Sequence, residues 1–113
     1  MTAMLSGNQG IPIEVEAEAG ELIAELYSVG WKVSTSRYDA KSFGNWYVDL
    51  RRAGHTMRLV KDRSQYMIAG PPTREIKAAG LWKAFDDFQE FRHVLIKWAS
   101  DPDVSIGGIN SAG

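Results

Sequence analysis

Few side chains in this sequence are placed to do chemistry. A catalytic reading has Asp39, Asp62 and His55 as its only actors, on or next to loops, and nothing in their spacing suggests a reaction. A metal site needs several convergent ligands. His55, at a hairpin turn, and His93, on a helix, have no evident partners and read as ordinary surface histidines. With no cysteine there is no thiolate nucleophile, no disulfide framework and no cysteine-based zinc site. No dinucleotide-binding glycine fingerprint, phosphate-binding loop, His-Glu-x-x-His or nucleophile elbow occurs. The expectation is a protein with no catalytic residues, no metal and no cofactor.

The elements that carry these residues follow from periodicity. From about 16 to 29, Leu22, Ile23, Leu26 and Val29 recur at helical spacing with glutamates on the other face, and Gly30 stops the helix. Residues 31–69 change to a period of two. Trp31, Val33 and Thr35 alternate with Lys32, Ser34 and Ser36, and a loop follows over 38–45. Trp46, Val48 and Leu50 then alternate with Tyr47, Asp49 and Arg51. Turns at Ala53-Gly54 and Arg63-Ser64 predict a register in which Leu50 faces Met57, Val48 faces Leu59 and Leu59 faces Ile68. On the opposite side Asp49 faces Arg58, Tyr47 faces Val60 and Val60 faces Met67. A one-residue slip destroys both sets of matches.

Gly70-Pro71-Pro72 ends the sheet, and 73–80 is ambiguous. Leu81, Phe85, Phe88, Phe91, Leu95 and Trp98 predict a helix over 81–99, which Arg92 interrupts with its stem buried. Residues 1–13 read as a flexible lead and 101–113 as a loose tail. The predicted fold is α+β: a four-stranded antiparallel meander with an N-terminal and a C-terminal helix packed on one face. The 113 residues suit a single domain, and 44% apolar content with four each of Trp, Tyr and Phe supplies one core. Met1 to Pro12 does not read as a signal peptide, and no apolar run approaches a membrane span, so the expected location is the cytoplasm.

Recognition is what these elements offer. The outer sheet face presents Tyr47, Val60 and Met67 in a row, flanked by Asp49, Arg51 and Arg58. Such a stripe suits a partner protein or a homodimer mate, unless the lead or the tail lies over it. The polar side of the last helix presents Trp82 with Asp86 and Glu90, an anchor for a basic partner surface; the alternative folds Trp82 under 73–80. Net charge is −1 but uneven, with −5 over 1–30, +5 over 31–63 and −1 beyond. Oppositely charged elements packed side by side would account for it. The basic residues, Arg51, Arg58 and Arg63 among them, also admit nucleic-acid binding beside Tyr47, although the aromatic-rich signature of an RNA-binding sheet is missing.

Ser42-Phe43-Gly44-Asn45, followed by a hairpin and then Arg58-Leu59-Val60-Lys61-Asp62-Arg63, resembles a pattern in small bacterial proteins of the immunity-protein type from polymorphic toxin systems. The resemblance covers roughly residues 30–100, including the aromatic final helix. It implies a cytosolic protein that binds a partner by surface complementarity without catalytic residues, and it carries over no defined set of functional positions.

Overall fold

The structure is a computed structural model, and it describes residues 11–101. The expected lead over 1–13 and tail over 101–113 fall outside the described residues, apart from 11–13 and Asp101. Helix α1 (Ile13–Ser28) is followed by β1 (Lys32–Asp39), β2 (Asn45–Arg52), β3 (His55–Asp62) and β4 (Gln65–Ala69), then by a short α2 (Thr73–Ala78) and by α3 (Phe88–Ala99). The strands form one antiparallel sheet in the order β1-β2-β3-β4, and α1 and α3 pack on it. The α+β meander is as the alternation predicts, and the register of both β2–β3 and β3–β4 is the predicted one.

Burial explains the arrangement. Val15, Ala19, Leu22, Ile23 and Leu26 make one stripe of α1, and Phe91, Leu95 and Ala99 make one stripe of α3. Both stripes close on Trp46, Val48, Leu50, Met57, Leu59, Tyr66 and Ile68, the inward set of β2, β3 and β4. Each such aliphatic side chain, fully withdrawn from water, contributes about 2 kcal/mol.

Two polar ties fix how the helices sit. The Glu18 carboxylate of α1 accepts hydrogen bonds from Trp46 Nε1 and Lys61 Nζ at 3.0 Å each, and from the Tyr66 hydroxyl. Burial alone would raise its pKa, but the three donors outweigh burial and hold the carboxyl below its ordinary value. Tyr66 answers with a pKa raised by burial and by its bond to Glu18. Arg92 of α3 reaches α1, donating to Glu25 at 2.7 Å and to Glu21 at 3.1 Å.

Arg52 holds the far end together. Its guanidinium donates to the carbonyls of Val29 and Ala99 at 2.9 Å and of Asp101 at 2.8 Å, and lies 5.0 Å from the Trp31 ring centre. A cation there meets the C-terminal ends of both long helices, where unpaired carbonyls gather negative potential. Gly30 stands against the Arg52 stem at φ +100°, where a Cβ would come within 3.0 Å of it, so the close turn needs glycine.

The structure departs from expectation in three places. The last helix begins at Phe88, not at 81. Leu81 and Phe85 are buried as the stripe requires. They reach the core from an irregular segment, however, and Phe85 exchanges two backbone hydrogen bonds of 2.8 Å with Tyr66 at the edge of β4. Asp87 then caps α3, accepting from the Glu90 amide. Second, a bulge between Val33 and Thr35 shifts β1 by one residue, which puts Thr35 opposite Asp49 on the outer face and Ser36 and Tyr38 on the inner. Third, α1 begins three residues before the predicted start, at Ile13.

Candidate partner-binding site

The outer face of the sheet is built by the strand register alone. Tyr47 stands opposite Val60, and Val60 opposite Met67, so the three cross β2, β3 and β4 in one row. None of them belongs to the core or packs against it. Arg58 donates to the Asp49 carboxylate through Nε at 2.7 Å and Nη2 at 3.0 Å, and its guanidinium lies 3.9 Å from the Tyr47 ring centre. These contacts hold the Arg58 pKa above its ordinary value, chiefly through the Asp49 hydrogen bond.

β1 adds cations. Arg37 stands opposite Tyr47, and Lys32 stands opposite Arg51. Lys32, Arg37 and Arg51 have no ion-pair partner among the described residues. Like charges directly opposite on neighbouring strands cost stability, so the Lys32–Arg51 pair is a feature the fold tolerates rather than uses.

A concavity of about 350 Å³ opens between this face and the β1–β2 turn. Arg37 and Arg58 flank it, Tyr47 and Val60 line it, and Asp39 and Asp62 lie toward the turn. It therefore joins two of the three side chains a catalytic reading needs, but leaves out His55, which lines a separate pocket with Gly54, Pro71 and Trp98. The two aspartates serve the turns. Asp39 accepts from the Lys41 amide and the Ser42 hydroxyl at 3.0 Å, and Asp62 accepts from Asn45 Nδ2 at 3.0 Å. Asn45 also accepts the Arg63 amide at 2.8 Å, which locks the two neighbouring hairpin tips together.

Phe43, at the first of these tips, is 77% exposed at φ +61°, with the Arg63 guanidinium 5.8 Å from its ring centre. A bulky residue with positive φ is a strained choice for a turn. Turn chemistry alone accounts for Ser42, Gly44 and Asn45 in the sequence, and it passes over Phe43. The detectable signal is an aromatic at a position that favours glycine or asparagine.

The second candidate surface does not assemble as predicted. Trp82 and Asp86 precede α3, and only Glu90 lies in it, so the three do not share one helix face. The helical spacing that joins them in the sequence is broken at Asp87. Trp82 is 64% exposed and does not fold under 73–80, which contains the short helix α2. Asp86 accepts from Gln65 Nε2 at 2.7 Å.

Among the described residues no group of three or more His, Cys, Asp or Glu gathers as for a metal ion, and no helix is long and apolar enough to cross a membrane. The chain matches no protein-family model, no curated protein and no solved structure.

Proposed function

We propose that this chain is a non-catalytic protein-binding module that occupies a partner's site by surface complementarity, the role implied by the immunity-protein resemblance, and that it acts in the cytoplasm. The observation that supports this most is the row Tyr47–Val60–Met67, an apolar stripe outside the core with charged borders. An apolar centre with a polar rim is the anatomy of a protein interface. The non-catalytic part of the reading is supported by Asp39 and Asp62, whose carboxylates are occupied by the turns they hold.

Nucleic-acid binding is the second reading, favoured by the cations Lys32, Arg37 and Arg51 beside Tyr47. The contacts of Arg58 weigh against it. Arg58 is already engaged by Asp49 and covers one face of Tyr47, the ring that would stack a base. The test is recovery of the tagged chain from its native cells with and without nuclease, beside the Val60→Glu variant. A companion protein that survives nuclease and is lost from the variant supports the module reading. Nuclease-sensitive recovery supports nucleic acid.

A further inference from the structure

The charge asymmetry of the chain has a spatial meaning. Of the basic residues in 31–63, Lys61 crosses to Glu18, Arg52 is taken by three helix-end carbonyls, and Arg58 is neutralised by Asp49. Among the described residues, the strand cations left without an ion-pair partner are Lys32, Arg37 and Arg51, all on the outer face by register and all along β1 and β2. On the acidic helix α1, Glu21 and Glu25 pair with Arg92 of α3, and Glu18 pairs with Lys61 of the sheet. Oppositely charged elements thus meet at the Glu18–Lys61 pair, and the three strand cations Lys32, Arg37 and Arg51 face away from the helices.

We infer that the outer sheet face takes an acidic segment of a partner protein, one that sets an apolar side chain on the Tyr47–Val60–Met67 row and its carboxylates against Arg37 and the Lys32–Arg51 pair. The inference rests on the binding-module reading and specifies the partner's chemistry. A carboxylate between Lys32 and Arg51 converts a like-charge repulsion into two attractions, which is electrostatic complementarity of the kind that sets partner choice and encounter rate. Arginine beside an aromatic, as with Arg37 opposite Tyr47, suits a planar carboxylate with an apolar neighbour. A phosphate backbone would satisfy the cations but leaves Val60 and Met67 without a complement.

The test uses the full chain, immobilised, to select from a display library of random short peptides, with the Val60→Glu variant as the counter-selecting surface. The expected peptides are net acidic with at least one aromatic or large aliphatic residue. Their affinity should fall at least tenfold for Arg37→Glu/Arg51→Glu, and clearly for the milder Arg37→Gln/Arg51→Gln, with thermal unfolding kept as a check on folding. Selected peptides that are neutral or basic, or that bind the double variants as tightly, overturn the acidic-partner inference while the module reading stands. Selection that returns nothing in excess of Val60→Glu overturns the module reading itself. Displacement of the selected peptides by a single-stranded oligonucleotide, with affinity falling steeply as salt rises, reassigns the face to nucleic acid.

Discussion

Arg58 lies 3.9 Å from the centre of the Tyr47 ring while Asp49 grips the same guanidinium through two hydrogen bonds. The guanidinium is therefore engaged both by a carboxylate and by an aromatic face. One face of the ring is no longer free for a base. A mixed-sequence single-stranded oligonucleotide at physiological salt should leave the Tyr47 amide and ring signals unmoved in NMR spectra. Upfield ring-current shifts at Tyr47 would show that bases do stack there.

Glu18 is the tie between α1 and the sheet, and its removal should be felt. Glu18→Ala leaves the Trp46 indole, Lys61 and Tyr66 without their acceptor and should cost roughly 2–3 kcal/mol, since half-buried donors lose a charged partner. Chemical denaturation measures it.

The same site predicts a pH profile. The folded Glu18 pKa lies below its ordinary 4.5, so its contribution is complete above that value and is lost as pH falls through the folded value. Tyr66 is raised above its ordinary 10.0, so its contribution is present below that value and is lost as pH rises beyond it. The stability difference between the wild type and Glu18→Gln should therefore shrink in acid and be steady through neutral pH. A difference that grows on acidification would contradict the assignment.

Arg52 should not tolerate lysine. Three carbonyls from two helix ends and the following residue converge on one planar fork, and an ammonium cannot reproduce that geometry while lying over Trp31. Arg52→Ala should cost about 3 kcal/mol and Arg52→Lys more than half of that, read from denaturant midpoints. Arg51, its neighbour on the opposite face, should be replaceable with little change in stability.

The β3–β4 hairpin carries avoidable strain. Arg63 and Ser64 both have positive φ, at +54° and +69°, in a two-residue turn that asparagine and glycine fit far better. Replacing Arg63-Ser64 by Asn-Gly should raise stability by about 1–2 kcal/mol, visible as a higher melting temperature.

The sheet is legible in the sequence because its two faces differ. Leu50 with Met57 and Val48 with Leu59 demand one register, and the same register places Asp49 against Arg58 and Tyr47 against Val60. The outer row therefore follows from the inner one. β1 is less legible: between Val33 and Tyr38 it is polar on both faces, and the bulge that sets Arg37 opposite Tyr47 leaves no trace in the alternation. The start of α3 misleads for the opposite reason. Leu81 and Phe85 keep helical spacing, but Phe85 is held by a backbone pairing with Tyr66, a distant contact that local periodicity does not encode. Adjacent arginines, Arg51 and Arg52, look alike in the chain and are separated only by the face each occupies.

The most direct measurement compares what the tagged wild type and Val60→Glu carry with them from their native cells after nuclease treatment. Val60 lies outside the core but is half-buried in an inner strand, so Val60→Glu should keep the fold at a cost of about 1 kcal/mol, checked by thermal unfolding. A stoichiometric companion protein should come with the wild type and none with Val60→Glu. The same companion bound equally to both, or recovery that disappears with nuclease, would contradict the module reading.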